Sequence, residues 1–327
     1  MRRDKVATLL PTLAALAACG QSATIAAEPH LQDVGMFYVG GGMQEGATQH
    51  TGQALVHYFK SNAEQKTPVV LYPGLGLTSY IYISTPDGRQ GWAQQFAKAG
   101  HAAYVYDPVN TGPSGIPAEP FRADPPASIA TWSANQIWPR WGFGDSRDEP
   151  YDNVRFPVEH MDQFYASWAS RLGGGGMGGG AGRGRTGSGP DVAALTELLE
   201  KTGPAVLVPH SMGGTTVFQV AKQRPDLVAG IIVIEPVGCP RSAEQIEAWS
   251  DKPFLGVYGD YVDSRGQTGR RDACRETASL VSEAGGTGEM LELTEQGVFG
   301  NTHLLMQDDN SEDIAARIID WIDANVP

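Results

Sequence analysis

The stretch Pro209-His210-Ser211-Met212-Gly213 lies between the apolar run Ala205-Val206-Leu207-Val208 and the helix-forming pattern Thr215-Thr216-Val217-Phe218-Gln219-Val220-Ala221. A strand, a sharp turn and a helix are thus centred on one serine. A serine hydroxyl is a poor nucleophile until it is held exposed at a strand end where a base can take its proton. The helix that follows aims free backbone N–H groups at the negative oxygen such an attack creates. The commoner pattern is Gly-x-Ser-x-Gly, and Pro209 replaces its first glycine with a residue that is compact but fixed in φ. A Ser-x-Gly-Gly turn can also be a plain connection; the flanking strand and helix favour a nucleophile elbow.

Outward from the elbow, short apolar runs alternate with helical patterns. Strands are expected over 54–59, 68–72, 102–106, 205–208, 230–234, 254–258 and 290–293, and helices over 88–99, 191–201, 215–223, 270–284 and 311–324. Most of the runs are near-continuously apolar, as in a sheet covered on both faces. The expected architecture is α/β, a mostly parallel, doubly wound sheet. Residues 34–39, followed by three glycines, should open an antiparallel edge hairpin with 54–59.

Two segments interrupt the alternation. Residues 111–172 combine Pro113, Pro117, Pro120, Pro125, Pro126 and Pro139 with Trp132, Trp138, Trp141, Phe143, Phe156, Phe164 and Trp168. Such a stretch reads as an inserted, aromatic-rich cap over the site, with Trp132 and Trp138 as pocket candidates, although most of its rings must form its own small core. Residues 173–189 are almost pure glycine with Arg183 and Arg185, which reads as a flexible surface loop rather than a phosphate cradle.

The 327 residues are 41% hydrophobic, enough for one large enzyme domain, and the formal net charge of −13 argues against nucleic acid as a partner. Arg2, Arg3 and Lys5 precede the apolar stretch 6–18, the pattern of an export signal over 1–18. Leu16-Ala17-Ala18-Cys19 resembles a lipobox, which would place a lipid on Cys19, the one expected route of membrane attachment; cleavage after Ala26 or Ala27 is the alternative. The expectation is a tether over 19–33, a catalytic domain over 34–327, and export as a periplasmic or outer-membrane lipoprotein or a secreted protein. Cys239 and Cys274 remain as an even pair that an oxidising compartment permits to bridge, against the alternative of two free thiols. Neither Cys-x-x-Cys nor His-x-x-x-His occurs, so neither metal nor cofactor is expected. Nothing in the sequence indicates an oligomeric state.

A serine nucleophile needs a base and an orienting acid. Among seven histidines only His303 falls after the last expected strand and before the C-terminal helix, where this kind of fold delivers its base. His210 adjoins the serine, but neighbouring elbow residues diverge in direction, so packing is its better reading. For the acid, the strand and turn Pro253 to Asp263 nominate Asp263, or less well Asp260, whereas Glu235 ends the preceding strand directly before Pro236.

Beside these residues, Ile234-Glu235-Pro236 with Cys239-Pro240, Gly297 to His303 running into Met306-Gln307-Asp308, and Thr85-Pro86-Asp87-Gly88-Arg89 with Gly91-Trp92 together carry a resemblance. From about Val34 to the C-terminus the chain resembles the α/β-hydrolase superfamily, and within it bacterial exported carboxylesterases that use a glutamate acid and a tandem-cysteine oxyanion hole. The resemblance implies an α/β-hydrolase fold and a Ser211, His303 and Glu235 triad. Where those enzymes have His-Gly and two cysteines, this chain has Pro73-Gly74-Leu75-Gly76, so the tandem cysteines are absent. Backbone N–H groups do the oxyanion work, and Leu75 and Met212 can supply both. The implied activity is hydrolysis of small, aromatic or short-chain carboxylic esters through an acyl-serine. The alternatives are a polyester, cutin-type hydrolase or lipase, and a non-catalytic hydrolase-fold lipoprotein.

Overall fold

The apolar runs assemble into one eight-stranded sheet in the computed structural model, which describes residues 29–43, 48–173 and 189–327. Its strands are β1 (Leu31–Met43), β2 (His50–Ser61), β3 (Val69–Tyr72), β4 (Ala103–Asp107), β5 (Ala205–Pro209), β6 (Val228–Ile234), β7 (Phe254–Tyr258) and β8 (Gly288–Glu292). Their spatial order is β1-β2-β4-β3-β5-β6-β7-β8. The first pairings, β1 with β2 and β2 with β4, are antiparallel; all the others are parallel. The edge hairpin forms as expected, Val34 facing Phe59 and Val39 facing Ala54.

Helices cover both faces, which is why the central strands show no polar alternation. On one face α1 (Trp92–Lys98) and the C-terminal Ser311–Asn325 helix bury Trp92, Phe96, Ile314 and Ile318. On the other, the helices Gly189–Thr202, Gly213–Gln223 and Thr268–Glu283 bury Leu195, Val217, Val220 and Val281. The first of these elements is shorter than the sequence pattern suggests. Residues 85–91 form a turn, with Gly88 at φ 85°, and the helix starts only at Trp92.

Between β4 and the Gly189–Thr202 helix the cap folds back over the sheet. It contains the helix Ala134–Trp141 and the short antiparallel strands Ser128–Ala130 and Arg171–Gly173. Trp141, Phe143, Phe156 and Phe164 pack edge to face or tilted as its core.

Three sequence boundaries shift. The tether expected to reach residue 33 ends sooner, because Leu31 already pairs with Ser61 in the sheet. Gly173 closes a short strand and Gly189 opens a helix, so both ends of the expected glycine-rich loop belong to regular elements. The rest of that loop, the 1–18 signal and Cys19 lie outside the described residues.

Cys239, in the loop after β6, is disulfide-bonded to Cys274 in the Thr268–Glu283 helix, with Cα atoms 5.1 Å apart and a sequence separation of 35. Closing a loop of that length removes denatured-state entropy equivalent to about 4 kcal/mol. Replacing both cysteines by alanine is therefore expected to lower unfolding free energy by up to that amount. Urea unfolding of the double variant and of the oxidised parent measures it, and equal midpoints would show that the bridge constrains nothing.

Candidate active site

The elbow is a crossing of backbones so close that it dictates its residues. Ser211 sits between β5 and the Gly213–Gln223 helix at φ 51°, in the left-handed region that non-glycine residues seldom adopt. The turn is tied to both neighbouring strands. His210 N–H donates to Tyr72 C=O at 2.9 Å, Ser211 N–H to Ile234 C=O at 3.0 Å, and Val237 N–H to Ser211 C=O at 2.7 Å. A Cβ on Gly74 would lie 2.9 Å from Ser211 Cβ, and one on Gly213 would lie 2.6 Å from Tyr72 Cδ1. Hence glycine is required on both sides of the serine. Ser211 keeps partial exposure at the carboxyl end of the sheet, where ligands of such folds bind.

Glu235, directly after β6, is also left-handed, at φ 42°. It is 3% exposed, and its carboxylate is fully engaged. Oε1 accepts the Gly259 N–H at 3.0 Å; Oε2 accepts Arg265 Nη2 at 2.6 Å and His303 Nδ1 at 2.7 Å. Burial pushes this carboxyl up, but the Arg265 charge and the His303 hydrogen bond outweigh it and hold it at about 2. An ionised Glu235 fixes the proton on Nδ1 of His303 and leaves Nε2 with its lone pair outward. Burial pulls the His303 imidazole below its ordinary 6.5, against the opposing pull of Glu235, so the ring is neutral at neutral pH.

His303 is braced from several directions. Its N–H donates to Trp141 C=O of the cap at 2.8 Å, and its C=O accepts His210 Nε2 at 2.9 Å. The His210 and His303 rings are 4.4 Å apart. His210 therefore packs, as its position suggested, and also ties the elbow to the histidine loop. Just beyond, the Asp308 carboxylate accepts Asn301 Nδ2 at 2.9 Å, Thr302 N–H at 2.8 Å and Thr302 Oγ1 at 2.8 Å. Gln307 donates to the carbonyls of Ile81 and Ser84, while Arg89 donates to those of Gln307 and Asp308. The motif around Thr85-Pro86-Asp87-Gly88-Arg89 and the one around Met306-Gln307-Asp308 are thus a single scaffold behind the histidine.

The other acid candidates lie elsewhere. The Asp263 side chain is 76% exposed and meets Arg271 at 3.4 Å and Thr268 Oγ1 at 3.2 Å. Asp260 accepts the N–H groups of Tyr261 and Gly300, anchoring the histidine loop rather than the ring. The turn after β7 instead delivers Arg265, which sequence reasoning missed. Its only signal was a charged residue two positions after Asp263, and nothing in spacing reveals an ion pair across thirty positions.

The Gly74 to Leu77 turn faces the elbow. Leu77 N–H closes it onto Gly74 C=O at 3.1 Å, Trp132 Nε1 donates to Leu75 C=O at 2.6 Å, and Ala169 N–H donates to Gly76 C=O at 3.2 Å. With its carbonyls held by the cap, this turn leaves the Leu75 N–H, like that of Met212, without a backbone acceptor among the described residues. Trp132 is a partly exposed ring at this turn. Trp138, named with it as a pocket candidate, is 2% exposed. Its Nε1 donates to Tyr165 Oη at 2.7 Å and its ring meets Phe143 edge on, so it belongs to the cap's core, where the burial of a large ring outweighs exposure to a ligand. Among the described residues no His, Cys, Asp and Glu cluster could hold a metal ion.

Arg265 and Glu235 are 1% and 2% exposed at the side chain, and breaking such a pair typically costs about 3–5 kcal/mol. Arg265→Met should therefore destabilise the protein and release the Glu235 carboxyl upward from about 2. In the parent, activity should fall only as pH drops through the His303 value below 6.5. In Arg265→Met a protonating Glu235 would move that acid limb to higher pH. A pH profile of kcat/KM for both proteins tests this; coincident limbs would show that Arg265 serves stability alone.

The sequence profile of the alpha/beta hydrolase fold family matches residues 67–295, and the chain belongs to that family. It is 24% identical to a probable secreted lipase from a fungal species, over 89% of this chain and 90% of that protein. A solved structure described as that of a novel bacterial esterase superposes with a TM-score of 0.81 at 27% identity, covering 91% of this chain and 97% of the other.

Proposed function

We propose that this protein is an exported serine carboxylesterase acting on compact aromatic or short-chain esters. The observation that carries the reading is the 2.7 Å hydrogen bond from His303 Nδ1 to an ionised, buried Glu235, with His303 beside the strained elbow of Ser211. His303 Nε2 takes the Ser211 proton as Oγ bonds to the ester carbonyl carbon, and Leu75 and Met212 N–H groups receive the resulting oxyanion. His303 then gives the proton to the departing alcohol. Water, deprotonated by the same imidazole, attacks the acyl-serine and releases the acid. Glu235 stabilises each imidazolium that forms. Backbone donors serve here without tandem cysteines, and no cofactor takes part.

Both relatives, one a probable secreted lipase and one an esterase, support ester hydrolysis, and the first supports export. The aromatic cap favours small esters over a polymer chain, and any membrane attachment would come from a lipid on Cys19. A fluorophosphonate probe and a series of p-nitrophenyl esters test the reading. Labelling at Ser211 with rates falling as the acyl chain lengthens is expected. An unlabelled, inactive protein would make the chain a binding module, and a preference for long chains would make it a lipase.

A further inference from the structure

The chain carries 37 acidic side chains against 24 basic ones, and most described arginines meet a carboxylate, as Arg155 meets Asp309, Arg224 meets Glu200 and Arg275 meets Glu292. Three half-buried arginines are exceptions. Arg140, Arg171 and Arg270 make no ion pair or side-chain hydrogen bond among the described residues, and Arg171 Nε is a buried nitrogen without a partner. In a protein so rich in carboxylates, leaving these three guanidinium groups unpaired is costly and needs a reason.

Arg140 and Arg171 border the turn just described, and the charge of Arg270 is felt at His303. The Arg140 guanidinium lies 5.7 Å over the ring of Trp132, whose Nε1 is bonded to Leu75 C=O of the oxyanion turn. A Cβ on Gly76 would stand 2.8 Å from Trp132 Nε1 and 3.7 Å from Arg171 Nε, so Arg171 lies against the same turn beside Trp132. Arg270 bears electrostatically on Glu235 and His303; its own proton affinity is lowered by burial and then by the charge of Arg140. Stacking on Trp132 accounts for the position of Arg140. It does not account for Arg171, whose Nε is buried without a partner. Arginine forks set around a reacting centre fit a planar anion well.

Resting on the esterase reading above, we propose that Arg140, Arg171 and Arg270 recognise a carboxylate carried by the substrate, so that the preferred ester is anionic. The carboxylate would lie on either the acid or the alcohol half, within a few bonds of the carbonyl held at Leu75 and Met212.

Two matched pairs test this: methyl hydrogen glutarate against methyl butyrate, and 4-carboxyphenyl butyrate against 4-carbamoylphenyl butyrate. At low salt the anionic member of at least one pair is expected to show kcat/KM about tenfold higher or more, as for a charge-assisted contact, with the advantage shrinking as salt rises. Arg140→Met, Arg171→Met and Arg270→Met should each reduce that ratio. Arg122→Met, an exposed cap arginine, removes the same charge and should leave the ratio intact. Ser211-dependent hydrolysis of the neutral esters with no anionic advantage in either pair would overturn the inference and leave the esterase reading standing. Absence of both hydrolysis and Ser211 labelling would overturn both.

Discussion

Ser211→Ala is expected to lower kcat by a factor on the order of 10⁶, as removal of a triad nucleophile does where no other group replaces it. The fold should persist. The elbow is held by backbone hydrogen bonds of His210, Ser211 and Val237, none of which uses the hydroxyl. Alanine also keeps the same Cβ, so the left-handed φ of 51° costs no more than before. Circular dichroism and urea unfolding should match the parent, while the fluorophosphonate label and the acyl-enzyme burst disappear. Retained activity with a label on another serine would place the nucleophile elsewhere and leave the elbow a structural turn.

The elbow was legible in the sequence because its constraints are local. One strand, one turn and two glycines lie within ten positions, although the crowding that selects Gly213 comes from Tyr72 and Pro73 at the end of the neighbouring strand. Strand positions were legible for a related reason: residues 254–258 are buried on both faces, so apolarity alone marks them. What escaped has long reach. The ion pair of Arg265 with Glu235 spans β7 and β6, and nothing near Arg265 in sequence announces it. The motif pieces around Arg89 and Asp308 are recognisable as a resemblance, yet their purpose is tertiary: the Arg89 guanidinium donates to the Gln307 and Asp308 carbonyls across more than two hundred positions. Trp132 and Trp138 looked alike as aromatic cap residues. Only folding separates a ring hydrogen-bonded to Leu75 from one hydrogen-bonded to Tyr165 within the cap.

The choice of acid was the point on which local and long-range signals disagreed, and it yields the second large effect. Glu235→Gln is expected to lower kcat by about 10⁴-fold, the loss known for amide replacement of a triad carboxylate. Glutamine can donate as well as accept, so it no longer requires the His303 proton to sit on Nδ1, and it brings no charge to stabilise the imidazolium. It also leaves Arg265, 1% exposed, without its counter-charge, so a loss of stability should accompany the kinetic one. Folding must therefore be checked on the same sample, and kcat compared at a temperature where both proteins are native. Asp263→Asn should change kcat by no more than a few-fold, because that side chain is 76% exposed and, among the described residues, meets Arg271 and Thr268. If the order were reversed with both variants folded, Glu235 would be a counter-ion for Arg265, and the orienting acid would come from the turn after β7.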